Sequence, residues 1–324
     1  MTKLVTVFGG SGFLGRNAVR ALAQAGYRIR VAVRRPNLAH YLPPMGTVGQ
    51  IQLMRCNVRD EEAVARAVES ADAVLNLVGI LAPAGGQGFE AVHTTAPQIV
   101  ATAAKNAGVT SLVHISSLGV SENSASKYAS SKAKGDNALR AAFPDATILR
   151  PSLLAGPDDD FFNKFANLAR FMPALPLIGG GHTKFQPVFV GNVADAIVKC
   201  VGDPATHGKI YELGGPNVFS FKEILQIILR ETGRRRLLVP IPFFLASIQA
   251  TVLQLLPGKL LTLDQVRSLK TDNVVSPDAL TFKDLGIVPD ALEAILPSYL
   301  WRFRAKGQFE NTAAERVSGS PAIR

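Results

Sequence analysis

Tyr128 and Lys132 stand one helical turn apart in Tyr128-Ala129-Ser130-Ser131-Lys132, and ten residues separate Ser117 from the tyrosine. An ammonium beside a phenol lowers the phenol's pKa, and a serine hydroxyl orients a carbonyl oxygen next to it. Ser117, Tyr128 and Lys132 would therefore deliver a proton to a carbonyl, which is half of a reduction. The other half is a hydride, and a hydride needs a carrier. A Tyr-x-x-x-Lys spacing recurs by chance in helices, so its meaning rests on whether the chain also builds a carrier site.

Gly9-Gly10-Ser11-Gly12-Phe13-Leu14-Gly15 supplies one. It follows an apolar run, Leu4–Phe8, and opens a helical pattern. Gly9 allows a tight turn, Gly12 lets backbone approach a diphosphate, and Gly15 lets the helix pack closely on the strand. The helix start then offers free N–H groups to phosphate, with Ser11, Phe13 and Leu14 in the same turn. The second apolar run ends in Arg34-Arg35, where an NAD site usually carries an acid for the ribose hydroxyls. Two guanidiniums suit a 2′-phosphate instead, so the expected coenzyme is NADP(H) in preference to NAD(H), with Arg34 as main ligand. Asn57-Val58 after the third run and Val78-Gly79 after the fourth lie where further strand ends would complete the site.

The elements that must hold these residues alternate. Strands are expected at Leu4–Phe8, Arg28–Val33, Ile51–Met54, Ala73–Val78, Ser111–Ser116 and Ala146–Leu149. Helices are expected at Leu14–Ala25, Glu61–Glu69, Phe89–Ala107 and Tyr128–Phe143. Such alternation predicts an α/β fold, a Rossmann-type doubly wound parallel sheet, because parallel neighbours need crossovers. Residues 1–150 form the dinucleotide-binding domain on this reading. Residues 151–310, richer in Pro and Gly, form a smaller α/β lobe that partly returns to the sheet, and 311–324 a disordered tail.

The 324 residues are 47% hydrophobic and 19% charged, which excludes a disordered chain. The basic excess sits in the first 150 residues, 16 Lys and Arg against 9 Asp and Glu, compared with 19 against 16 afterwards. Only Arg234-Arg235-Arg236 forms a basic run, so a nucleic-acid partner is not expected. Two cysteines, Cys56 and Cys200, fit a reducing compartment, and the five histidines lack metal-ligand spacing, so no metal site is expected. His114 reads as a satisfied core residue, and Asp158-Asp159-Asp160 as a helix cap. Met1-Thr2-Lys3 leads directly into Leu4–Phe8 with no signal-like segment. The long apolar stretch Leu237–Leu256 is interrupted by Pro240, Pro242 and Gln249, and so is expected to be amphipathic rather than spanning. In it Ser247, Thr251 and Gln254 share one face, while Leu245, Ile248, Val252 and Leu255 share the other. Two placements are open for that apolar face: packed on the second lobe's core, or resting on a membrane or partner beside the arginines.

Gly9–Gly15, Ser117 with Tyr128 and Lys132, Ile148-Leu149-Arg150-Pro151-Ser152 and Gly156-Pro157 resemble the short-chain dehydrogenase/reductase superfamily in its extended or atypical branch. So do Gly179-Gly180-Gly181, Gln186–Val190, Asn192–Ala196 and Tyr211–Pro216, and the likeness covers roughly residues 3–300. It implies that Ser117, Tyr128 and Lys132 are the catalytic serine, tyrosine and lysine, and that Pro151-Ser152 flanks the nicotinamide. Ser126-Lys127-Tyr128, Lys132–Asp136, Ala142–Ala146, Phe161–Ala166 and Asp284–Ile287 are most similar to the nucleotide-binding accessory subunit of respiratory complex I and its bacterial relatives. That likeness implies a tightly held NADPH of structural use, complex I subunits as partners, and a cytoplasmic protein peripheral at the inner membrane. An active NAD(P)-dependent reductase, epimerase or dehydratase on a small or nucleotide-linked substrate stays open beside it.

Overall fold

The computed structural model describes residues 2–83, 85–254 and 261–307. In chain order the first half runs β1 (Leu4–Phe8), α1 (Phe13–Gln24), β2 (Arg28–Val33), β3 (Ile51–Arg55), α2 (Glu61–Val68), β4 (Ala73–Asn76), α3 (Ala96–Asn106), β5 (Ser111–Ile115), α4 (Lys127–Ala142) and β6 (Thr147–Pro151). There follow β7 (Leu154–Ala155), α5 (Phe161–Phe171), β8 (Ala174–Ile178), β9 (Lys184–Phe185), β10 (Val188–Phe189), α6 (Val190–Gly202), β11 (Ile210–Leu213), β12 (Phe219–Ser220), α7 (Phe221–Glu231), β13 (Leu237–Ile241), α8 (Phe243–Leu253) and α9 (Leu263–Ser268).

Seven strands form a parallel sheet in the order β11-β6-β5-β4-β1-β2-β3, the doubly wound arrangement expected from the alternation. The order reverses around β1, so the crevice beyond its carboxyl end is the natural ligand position. The strands are apolar on both sides because both faces are covered. Val5 and Val7 turn to the core shared by α1 and α6, with Val19, Leu22, Val31 and Ile197. Phe8 and Val74 turn to the other face with Val64, Val100 and Leu139 from α2, α3 and α4. Each such side chain, fully buried, contributes about 1.5–3 kcal/mol.

A separate core gathers Phe162, Leu175, Phe221, Ile224, Ile228 and Leu300 into the smaller lobe. Its sheets are short: β7 with β10, β9 with β12, and β8 with β13. Tyr299 donates to Asp159 Oδ2 at 2.6 Å, while Asp159 Oδ1 accepts from Phe162 N at 2.6 Å, so Asp159 is the member of the acidic trio that caps α5.

Three expectations change. The helix expected over Phe89–Ala107 opens with a π-helical turn, Glu90–Thr95, before α3 begins. The interior Gly135 of α4 explains the close fit there, since a Cβ at that position would lie 1.7 Å from His93 O. His114 is buried but not satisfied: neither ring nitrogen has a hydrogen bond of normal geometry, and Asp136 Oδ1 is 3.6 Å away. Finally, α8 buries only Ala246 and Ala250, while Leu245, Ile248 and Val252 of the expected apolar face are 40%, 60% and 61% exposed. The placement of that face on the lobe's own core is thereby overturned for these three residues. Leu255 and the tail 311–324 lie outside the described residues. Among the described residues no helix is long and apolar enough to cross a membrane, and no cluster of His, Cys, Asp or Glu could hold a metal.

Candidate functional site

The glycine-rich turn is built by contacts that only glycine allows. Gly9 has φ +83°, and a Cβ there would press on the Leu77–Val78 peptide at 3.2 Å. At Gly15 a Cβ would stand 2.3 Å from Gly9 O, so α1 can lie against the turn only without a side chain. Gly10, not singled out by spacing, is equally constrained: its Cβ would meet Val31 Cγ1 at 2.6 Å. Gly12 faces open space apart from Gly9 O at 3.5 Å. The first turn of α1 has no side-chain cap; Gly12 N donates to Gly9 O at 3.1 Å, and the N–H groups of Phe13 and Leu14 that follow are left to take an anion.

The other expected binding residues sit on the same carboxyl edge. Gly9 N donates to Ala32 O at 3.4 Å, which sets the turn beside the end of β2. Arg34 and Arg35 follow at once, both exposed and without an ion pair among the described residues. Cys56 N donates to Val33 O, placing Asn57 and Val58 next to them. Asn57 Oδ1 accepts from Arg59 N at 3.3 Å, which leaves its amide nitrogen available. Val78 N is held by Asn76 Oδ1 at 3.2 Å.

At the next strand ends the residues expected to transfer a proton, Ser117, Tyr128 and Lys132, come to this edge. The Ser117 hydroxyl lies close enough to Tyr128 to pull its phenol pKa down. Lys132 is 5% exposed and its Nζ donates to Ile115 O at 2.8 Å. A Cβ on Gly79 would be 3.6 Å from that Nζ, so the β4 loop and the α4 lysine meet directly. Burial pulls the Lys132 ammonium down to about 8, with Asp136 opposing. The expectation that Lys132 lowers the Tyr128 phenol fails here. Burial raises the phenol more than Ser117 lowers it, Asp136 adds to the rise, and the ammonium is turned to the Ile115 carbonyl. Pro151 ends β6, and Ser152 beyond it is buried with its hydroxyl given to Asn273 Oδ1 at 2.6 Å.

Several groups with a part in this site were not legible from spacing. His93 Nε2 accepts from Ile80 N at 3.0 Å, and its Nδ1 lies 3.0 Å from Ser131 Oγ, which donates to Tyr128 O at 2.9 Å. Since Nε2 accepts, Nδ1 carries the proton. Burial and the nearby Lys132 cation push His93 down to about 3, so the ring is neutral and ties the β4 loop to α4. It also meets Tyr128 edge-on at 5.3 Å. Below Lys132, Asp136 accepts from Arg150 Nε at 3.1 Å and Nη2 at 2.9 Å. Asp264 of α9 caps α4 from afar, accepting from Ser126 Oγ, Lys127 N and Tyr128 N at 2.8, 2.6 and 3.0 Å. Asn273 joins Ser152 to the Leu118 carbonyl. Arg16 crosses the glycine-rich turn to Asp158 at 2.9 Å, over the Tyr41 ring, whose hydroxyl donates to Ser11 O at 2.7 Å. The sequence signal for these was faint. Only Gly135, an interior helix glycine on the face toward His93, marked one of them.

Such an edge can hold an extended dinucleotide with its diphosphate at α1 and its far end between Gly79, Lys132 and Ser117. Residues 5–214 match the family model "NAD dependent epimerase/dehydratase family". NADH dehydrogenase (ubiquinone) 1 alpha subcomplex subunit 9 of Arabidopsis thaliana is 36% identical over 97% of this chain and 81% of its own length. The Mus musculus protein of the same name is 35% identical over 90% and 78%. Among solved structures, the NADPH-dependent quinone oxidoreductase QOR2 of Escherichia coli, complexed with NADPH, superposes with a TM-score of 0.72 at 20% identity, over 90% of this chain and 97% of its own. That last likeness is one of fold. With its glycine turn, seven-stranded parallel sheet and smaller lobe, the chain belongs to the NAD dependent epimerase/dehydratase family, among the relatives of the complex I alpha subcomplex subunit 9 proteins.

Proposed function

We propose that this chain is an NADP(H)-binding accessory component of a complex I-type NADH dehydrogenase, peripheral on the cytoplasmic face of the inner membrane. The observation that carries the coenzyme choice is the pair Arg34 and Arg35. They are exposed and unpaired among the described residues at the strand end beside the glycine turn, where a ribose-binding acid would disfavour a 2′-phosphate. The glycine contacts support a diphosphate at α1, because every Cβ that would fill the cradle is missing. Gly9, Ser11, Gly12, Phe13, Leu14 and Gly15 would hold the diphosphate. Asn57 and Val58 would hold the adenine side, and Val78, Gly79, Lys132, Pro151 and Ser152 the nicotinamide side. The complex I partnership follows the relatives' names. Its test is to purify the protein from native membranes: co-migration with the NADH dehydrogenase assembly is expected, and a wholly free pool would contradict it.

A second reading, reduction of a carbonyl compound, is favoured by the meeting of Ser117, Tyr128 and Lys132 beside Gly79. The bound coenzyme would supply the hydride. Ser117 would orient the carbonyl, Tyr128 would give its proton to the oxygen, and Lys132 would hold positive charge near the ribose while it remains protonated. NADPH oxidation by the free protein with a carbonyl substrate, lost in Tyr128→Phe with coenzyme affinity retained, would establish this reading.

A further inference from the structure

Most apolar side chains of the sheet are covered, but those of β13 and α8 are not. Leu237 is 72% exposed and Val239 43%, and after Pro242 come Phe244 at 70%, Leu245, Ile248 and Val252. Phe171 and Met172, at 74% and 42%, stand before β8, the strand that pairs with β13. Isolated exposed apolar residues are ordinary, but a run of this density marks an interaction surface.

Charge says what kind. From Arg234 to Gln254 there are three arginines and no acid. Arg170 precedes Phe171, with its guanidinium over that ring, and Lys270 Nζ stands 5.6 Å from the Phe243 ring. The one acid of α9, Asp264, is turned inward to cap α4, which leaves Arg267 as the exposed charge of that helix; just beyond it Lys270 is exposed, and Asp272 takes the Lys184 amide at 2.8 Å. The hydroxyls argue for lipid over protein. Ser247 Oγ donates to Phe243 O at 2.8 Å and Thr251 Oγ1 to Ser247 O at 2.9 Å, each bonded within its own helix. A protein interface carries about one hydrogen bond per 100–200 Å², and this face offers few donors for that. At about 1.5 Å per residue α8 is also too short to span a bilayer, so it would lie in the plane of one.

We propose that β13 and α8 form a surface that beds into an anionic bilayer, and that α9 links it to the Tyr128 site. It deepens the peripheral placement given above and rests on that reading. The link is physical. Ala246 and Ala250 of α8 share a small core with Val266 of α9, and Asp264 of the same helix holds the amides of Lys127 and Tyr128. Bedding α8 therefore bears on the helix start that carries the tyrosine.

The experiment is flotation of the full chain with vesicles of phosphatidylcholine alone or with phosphatidylglycerol, followed by hydrogen exchange at residues 126–131. Expected are binding to the anionic vesicles at least tenfold above neutral ones and slower exchange at 126–131 on binding. The double variant Phe244→Glu, Ile248→Glu should lose binding. Arg235→Glu and Lys270→Glu should each weaken it about fivefold or more. NADPH affinity in solution, measured on each variant, keeps this test apart from the coenzyme reading. Equal binding to both vesicles, or binding unaltered in the double variant, would overturn the surface. Binding with unchanged exchange at 126–131 would overturn the link. If vesicles are ignored while the same variants release the chain from a respiratory-complex preparation, the face is a protein interface and the proposal fails.

Discussion

The strands β1 and β13 are alike as sequence, Leu-Val-Thr-Val-Phe against Leu-Leu-Val-Pro-Ile, and opposite in what they do. In β1, Val5, Val7 and Phe8 are wholly buried, and the turn that follows tolerates no added atom at Gly15. In β13, Leu237 and Val239 point to solvent and the helix after it exposes more of the same. Apolar content states only that a surface avoids water. Whether the chain itself supplies the cover depends on topology, which in β1 brings helices to both faces and in β13 leaves one face open. On the reading proposed above, the first region takes a small polyanion and the second meets something outside the protein.

Substitutions should separate the two regions. The largest effect is expected at Gly15→Val. With its Cβ 2.3 Å from Gly9 O it must push α1 off the turn, so NADPH binding should be abolished in calorimetry. Overpacking of this kind also costs about 1–3 kcal/mol of stability. Gly12→Ala, whose Cβ meets only Gly9 O at 3.5 Å, should retain the fold and its stability while weakening NADPH binding, and an equal loss of stability at both positions would refute the packing argument.

Next in size is Arg34→Glu, which should collapse the ratio of NADPH to NADH affinity by tenfold or more, since a charge-assisted hydrogen bond is worth about 1.5–3 kcal/mol. An unaltered ratio in a titration would remove Arg34 from the phosphate site.

A smaller, graded effect concerns pH. Lys132 keeps its charge below about 8 and loses it above, so NADPH affinity should fall as pH rises through that value. Because Asp136 raises the Lys132 pKa, Asp136→Asn should move the midpoint lower. His93 gives the opposite window for stability. Its folded pKa of about 3 lies below the ordinary imidazole value of 6.5, so the unfolded chain binds the proton first and stability falls as pH drops from 6.5 toward 3. His93→Gln should flatten that slope in thermal melts.

The smallest effect belongs to the open face. Phe244→Glu or Ile248→Glu should change solution stability by no more than about 0.5 kcal/mol, whereas Ala246→Glu, on the buried side of the same helix, should destabilise strongly. Equal loss in both would mean that the exposed face is after all part of the protein's own core.

How much of this was readable in advance follows the same division. The sheet and the edge that gathers the candidate residues were legible because local rules specify them: β1 and β2 fall at their expected bounds, and Gly9, Gly15, Tyr128 and Lys132 lie on one edge. The remainder depends on contacts between distant segments. Asp264 reaches α4 across 136 residues and Asn273 reaches Leu118 across 155, and no local pattern encodes such pairs. The choice between the two placements of α8 stayed open in the sequence for a related reason. Its buried side is made of two alanines, the residues that a hydrophobic count weighs least. The Tyr128 phenol was misjudged because proximity in sequence to Lys132 says nothing of where the ammonium points.

The central claim is that the start of α1 takes a diphosphate while Arg34 and Arg35 select its extra phosphate. Isothermal titration of the stripped protein with NADPH and with NADH tests it most directly. The account predicts one NADPH bound per chain, with NADH at least tenfold weaker and the gap closed in Arg34→Glu. Heat of binding from neither coenzyme would contradict it.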